Sequence, residues 1–258
     1  MSHVLFVCLL GAIAGVSIGT VGIGGVMLVP GLHYLGGIPI PQAIAAAMMG
    51  YVLTGIVGTA IYARAGSIRW SMAGWVCAGA MPAALAGAWL SNTVPSAALE
   101  MVIAALTLGS GLHALFGRAA EGGRDRALGP RVLLALGAVT GLLSAITGTG
   151  GPLVLVPSMI WLRVPVLTAI GLSQAVQMPI ATLATLGNFT FGEPDLRLGI
   201  VLALALAVGS AGGAKLAHAV PRDMLKRIVA GILCLVGTAI LFRVLSGLLA
   251  SGAGGPAA

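Results

Sequence analysis

Residues 1–63 contain no Asp, Glu, Lys or Arg, and the first charged side chain is Arg64. Further runs without such a charge cover 70–99, 101–117, 132–162, 164–192, 198–214 and 228–242. A helix that crosses a bilayer needs roughly 20 apolar residues, and most of these runs supply them. Only 7% of the residues are charged, whereas soluble domains carry about 25%, so a water-facing surface cannot be built from this chain. The pattern predicts an all-α, polytopic membrane protein.

The net charge of +7 is no nucleic-acid signal, because the basic residues fall in short loops and no soluble domain holds them as a patch. Cys8, Cys77 and Cys234 lie in apolar segments without metal-ligand spacing and read as small buried hydrophobes. Neither a cofactor nor a metal is called for. The apolar N-terminal run lacks a basic leader region and has a counterpart in the second half, so it reads as a membrane segment and not a cleaved leader.

That counterpart is part of an internal repeat. At an offset of 126, Gly11, Gly15, Gly22, Gly24 and Gly25 answer to Gly137, Gly141, Gly148, Gly150 and Gly151. Later, Gly87-Ala88 answers to Gly213-Ala214 and Val94-Pro95 to Val220-Pro221. The chain therefore divides into a first repeat (1–117), a linker (118–131) and a second repeat (132–258). Five apolar segments per half are expected, roughly 3–20, 24–36, 39–63, 71–91 and 96–117, then 131–147, 151–162, 165–191, 198–217 and 223–249. The second of each is short: about 12 helical residues cover ~18 Å of a ~30 Å core. Either it crosses with a break inside the membrane, or it forms a re-entrant hairpin with the segment before it.

Both choices give an odd number of crossings per half, hence two inverted repeats. With the N-terminus outside, 11 of the 13 basic residues fall on the cytoplasmic side, Arg197 and Arg243 being the two outside. Parallel halves with four spans each place only 8 of 13 there, so the positive-inside rule favours inversion. Inverted halves bring their broken or re-entrant helices together near the midplane, where such transporters place their site.

The breaks themselves are Gly22-Ile23-Gly24-Gly25 and Gly148-Thr149-Gly150-Gly151. Irregular backbone within a bilayer survives only where protein or a wet cavity satisfies it. A glycine break followed by a helix leaves unpaired N–H groups, which with the helix dipole favour an anion. Pro152 suits a first helical position; Thr147, Thr149 and, in the first copy, Thr20 offer hydroxyls. Gln174 and Gln177 share a face of one segment by i,i+3 spacing beside Ser173, and either bond a neighbouring helix or face the substrate. Tyr51 occupies the matching place in the first half. The expected substrate-binding set is Thr20, Gly22, Gly24, Gly25, Tyr51, Thr147, Gly148, Thr149, Gly150, Gly151, Gln174 and Gln177. Gly11-Gly15 and Gly137-Gly141 read as close helix packing. Lys215 is expected to snorkel, and His33, His113 and Asn188 to be structural. No Asp or Glu is expected deep in a span; Glu100, early in its helix, comes nearest. A carboxylate proton relay is therefore hard to build, and an anionic cargo fits better than a cationic one.

With these residues in view, the chain resembles the TauE/SafE sulfite-exporter family, also called the toluene-sulfonate uptake permease family. The likeness rests on the paired half-repeat, on Gly22-Ile23-Gly24-Gly25-Val26 with Pro30, on Gly148-Thr149-Gly150-Gly151-Pro152 with Pro157, and on the Arg64-Ala65-Gly66-Ser67-Ile68-Arg69 turn. The resemblance implies a multi-pass protein of the bacterial inner membrane that carries sulfite, an organosulfonate such as sulfoacetate, or a related small sulfur anion. The partners are then the lipid bilayer and a small anion; nucleic acid is not one, and a homodimer is left open. Two other classes compete. A membrane-embedded enzyme would need an HExxH, GxSxG, paired-Asp or Cys/His signature, which the chain lacks. A scaffold or sensor would need an output domain larger than the 118–131 linker.

Overall fold

The computed structural model describes residues 2–21, 24–116 and 128–216, with residues 231, 234, 235, 237–239, 241 and 242 beyond them. The described residues are helical or in short turns, and strands are absent among them. In order they form α1 (Ser2–Val21), a short mixed segment centred on α2 (Leu28–Pro30), α3 (Ile40–Arg64), α4 (Trp70–Thr93), α5 (Ser96–Phe116), α6 (Pro130–Thr147), α7 (Pro152–Trp161), α8 (Val166–Phe191) and α9 (Leu196–Leu216). In the mixed segment α2 continues a 3-10 turn (Gly24–Met27) and runs into a π-helical turn (Gly31–Leu35). Five of the helices, α3, α4, α6, α8 and α9, are long and apolar enough to cross a membrane. The expected segments match these elements, except the linker before 128 and the segment 223–249, which lie largely outside the described residues.

The helix ends follow local chemistry. Gly66 (φ +65°) closes α3: its N–H donates to Ala63 O and that of Ser67 to Tyr62 O, the Schellman pattern that only a left-handed residue permits cheaply. α7 begins at Pro152, where the absent N–H costs nothing. The turns before α3 and α8 are built alike. Gly37 (φ +67°) and Arg163 (φ +63°), 126 apart, both take the left-handed region. Pro39 and Pro165 follow with near-identical angles, φ −55° ψ 140° and φ −54° ψ 139°. The two turns thus share one backbone geometry although glycine stands in one and arginine in the other.

Helix partners are chosen by small residues, because lipid tails give apolar side chains no reason to prefer protein. α1 lies along α9 and α6 along α4. Gly11 packs on Leu202 and Ala205, Gly15 on Leu206 and Ser210, and Gly213 on Val16, so position numbers rise together along α1 and α9. They also rise together in α4 and α6, where Gly137 meets Val76, Gly141 meets Ala80, and Gly87 meets Leu142 and Ala145. A Cβ at Gly15, Gly137 or Gly141 would run into facing backbone, the close-packing role expected of these glycines. In the central pair, α3 and α8, the numbers run oppositely: Thr54 meets Gln177, Gly55 meets Met178, and Gly58 meets Gln174. Asn188 is 1% exposed and accepts from Asn92 Nδ2 at 2.8 Å, joining α8 to α4 in the structural role expected of it.

Candidate functional site

Tyr51 falls near the middle of the 25-residue α3 and Gln177 near the middle of the 26-residue α8. Both are almost fully buried, with exposures of 0% and 1%. The two glycine breaks converge on this level. A Cβ on Gly25 would strike the carbonyl oxygen of Thr149 and come within 2.6 Å of the Tyr51 hydroxyl. That hydroxyl donates to Gly25 O at 3.0 Å, so α3 holds the first tip by its backbone. Just beyond the tips, Val26 and Leu153 are buried in one small cluster with Met27 and Leu106.

The second tip is stiffened from its own side. Gly148 (φ +65°) ends α6 in the left-handed region, and Gly150 takes φ +75°. Ser144 Oγ donates to Gly150 O at 2.8 Å, and the Thr147 and Thr149 hydroxyls are 2.8 Å apart. Thr147 also donates to Leu143 O. The Thr149 hydroxyl therefore pairs with Thr147 instead of standing free. α7 then opens at Pro152, and the first N–H groups of a helix have no partner within it.

Facing that opening is the polar stretch of α8. Gln177 Nε2 donates to Thr54 Oγ1 at 3.0 Å, while Gln177 Oε1 is buried without a partner. Thr54, which is not in the expected set, thus joins the cluster; its one signal is its place one helical turn beyond Tyr51. A Cβ on Gly150 would approach the Gln177 amide carbon at 3.7 Å, and one on Gly151 would meet Ser173 O at 3.5 Å, both ordinary contacts. Gln174 lies one turn earlier; its carbonyl oxygen accepts from Thr59 at 3.1 Å, and its own Oε1 is buried and unpartnered. A buried amide oxygen without a partner costs about 1–3 kcal/mol, so the cluster is poised for a polar guest.

Of the expected set, Gly25, Tyr51, Thr147, Gly148, Thr149, Gly150, Gly151 and Gln177 come together, with Gln174 at the edge. Gly24 lies in the 3-10 turn that opens the first tip. Thr20 does not join them by its hydroxyl, which donates back to Val16 O at 2.8 Å within α1. Gly22 and the Lys215 side chain lie outside the described residues. Tyr51→Phe removes one buried hydrogen bond to the first tip. The variant should be less stable by about 1 kcal/mol, read as a lower melting temperature of the purified protein.

Residues 7–240 match the family model described as "Sulfite exporter TauE/SafE". The chain is also 25% identical over 236 residues to the "Probable membrane transporter protein YdhB" of Bacillus subtilis (strain 168), a match spanning 88% of this chain and 96% of that protein. No solved structure matches.

Proposed function

The chain belongs to the sulfite exporter TauE/SafE family and is a multi-pass membrane transporter, and on that premise we propose that its cargo is a small sulfur-containing anion, sulfite or an organosulfonate, held between the glycine tips. One observation carries this reading: the N-terminus of α7 opens onto a buried glutamine whose Oε1 has no partner. A half-turn of that amide, with the Thr54 hydroxyl hydrogen turning from Tyr51 O to Oε1, presents the NH2 group to the tip. An oxyanion there would be met by amide donors and the positive end of the α7 dipole. Among the described residues the carboxylates are Glu100, bonded to Tyr34 at the far end of the segment from the first tip, and Glu193 and Asp195 in the α8–α9 turn. Flux of labelled sulfite, a sulfonate and sulfate into proteoliposomes tests the proposal. Saturable flux of at least one is expected, and folded protein that carries none of them would sink it.

We further propose that repeats 1–117 and 132–258 are inverted, with the 118–131 linker in the cytoplasm. The opposite numbering of α3 and α8, with like numbering in α1/α9 and α4/α6, supports this. Numbers also rise together between α4 and α8, where Ala88 meets Gly187 and Asn92 meets Gly192, and between α3 and α9, where Met49 meets Gly199 and Gly50 meets Leu206, so α1, α3 and α4 oppose α6, α8 and α9. Ala65→Cys and Glu193→Cys mark equivalent turns. In a background without the native cysteines they should react with an impermeant reagent from opposite faces of the membrane; labelling from one face rules inversion out.

A further inference from the structure

The seam between α3 and α8 has two unlike halves. The matching turns before these helices hold the offset at 126, so residues 47–59 of α3 answer to 173–185 of α8. Each position on one side of the tips therefore has a counterpart on the other. Where α3 ends and α8 begins, the seam is polar. Gln177 Nε2 donates to Thr54 Oγ1, Thr59 Oγ1 donates to Gln174 O at 3.1 Å, and the Gln174 amide lies over Gly58. The counterparts of Thr54, Ser173 and Gln174 are Ile180, Ala47 and Met48, all buried in the main hydrophobic cluster. Of this polar group Thr59 alone has a like counterpart, Thr185.

Helix adhesion does not account for the difference. Gly55 and Gly58 already let α8 approach the α3 backbone. Gln174 is 1% exposed, and its Oε1, like that of Gln177, is buried without a partner. Such an oxygen costs free energy for as long as the seam is shut. It recovers a hydrogen bond when water or a ligand enters, and a turn of the amide offers an anion the NH2 group instead. Parting the other half would wet Ile180, Ala47 and Met48, with nothing regained.

The two ends of the seam also differ in charge. Arg64 closes α3 and Arg163 precedes α8, and both are exposed. Gly171 lies against Ser67, which places the start of α8 beside the α3–α4 turn and brings both arginines to one mouth. At the opposite end α8 leads into Glu193 and Asp195, with Arg197 beyond them. A mouth lined by cations against low-dielectric walls concentrates anions.

With the tips as the proposed berth of the cargo, we infer that the anion travels between them and the membrane face of the α3–α4 turn along this polar half-seam, and that Gln174 is a second binding position on the way. The ligand class is a small oxyanion, met by amide hydrogens inside the span and by the two arginines at the mouth.

Access can be read without transport. In a background without the native cysteines, Gln174→Cys and Met48→Cys stand at equivalent positions that are equally hidden, at 1% and 0% exposure. Sealed membrane vesicles of either orientation are treated with an impermeant methanethiosulfonate that bears a sulfonate, and with its quaternary-ammonium analogue. Each rate is divided by that of the same reagent with a small free thiol. Gln174→Cys should react about tenfold or more faster than Met48→Cys, from the face that labels Ala65→Cys, and the sulfonate reagent should lead there. Equal rates at the two positions, no reaction at either, or reaction of Gln174→Cys from the other face alone refutes the route. Equal normalised rates for the two reagents refute the preference for anions. Should Gln174→Cys fail to fold, Ser173→Cys and Ala47→Cys make the same comparison at the neighbouring pair. Sulfite flux in the wild-type protein is a separate measurement: its absence refutes the cargo and leaves the access result standing, and a failed route leaves the flux result standing.

Discussion

Gly25→Ala is expected to reduce anion flux tenfold to a hundredfold while the protein still inserts. The added Cβ would overlap Thr149 O and sit 2.6 Å from the Tyr51 hydroxyl. Neither neighbour yields readily. Tyr51 is fully buried and bonded to Gly25 O, and the strand of backbone around Thr149 is held by the Ser144–Gly150 bond. The tips must therefore part. Overpacking of this kind costs about 1–3 kcal/mol, and here the displacement falls on the surfaces proposed to close around the anion. The proper control is Gly74→Ala in α4, where a Cβ meets nothing within 4 Å. Flux at matched expression, with size-exclusion profiles for both variants, makes the comparison. Wild-type flux in Gly25→Ala would mean that contact between the tips is irrelevant to transport.

The long charge-free runs locate the membrane helices because bilayer thickness and the cost of a buried charge leave little choice. The repeat locates the breaks because glycine is retained where backbone meets backbone, as at Gly15, Gly25 and Gly137. Partner choice is harder to read. α1 exposes Leu5, Leu9 and Ile13 and buries Val7, Ala14 and Ile18. With lipid on one side and protein on the other, both faces are apolar, so the polar–apolar contrast that orients a soluble helix vanishes. The Tyr34–Glu100 bond joins residues 66 apart in different segments, and no spacing rule reaches that far. Thr54 carries no sequence signal for a related reason: like Thr20 it donates to its own preceding turn, at 3.2 Å to Tyr51 O, and only the fold brings Gln177 Nε2 to it as well. The two tips also differ in ways their matching glycines conceal. The first leads into mixed 3-10, α and π turns, the second into a regular ten-residue helix.

That difference separates Gly150 from Gly151. Gly150 sits at φ +75°, which a side chain adopts at a cost of about 1–2 kcal/mol. Gly150→Ala should therefore lower the melting temperature whether or not an anion binds nearby. Gly151 has no such constraint. Its φ is ordinary, and an added Cβ would meet Ser173 O and the Gln177 backbone at no less than 3.5 Å. The sequence treats Gly25 and Gly151 as equals, yet only Gly25 is pressed against its neighbours. Gly151→Ala should consequently fold and melt like wild type. The space its methyl would fill, between Gly151 and the polar face of α8, is the berth proposed for the anion. Sulfite that stabilises the wild-type protein in a melting titration, through preferential binding to the folded state, should then stabilise Gly151→Ala far less. Its flux should fall at least tenfold, more than the about fivefold loss expected when Gln177→Ala removes a single hydrogen bond of about 1 kcal/mol. The two substitutions thus dissociate stability from binding: Gly150→Ala loses the first, Gly151→Ala the second. If Gly151→Ala keeps both its stabilisation by sulfite and its flux, the anion does not rest at the N-terminus of α7.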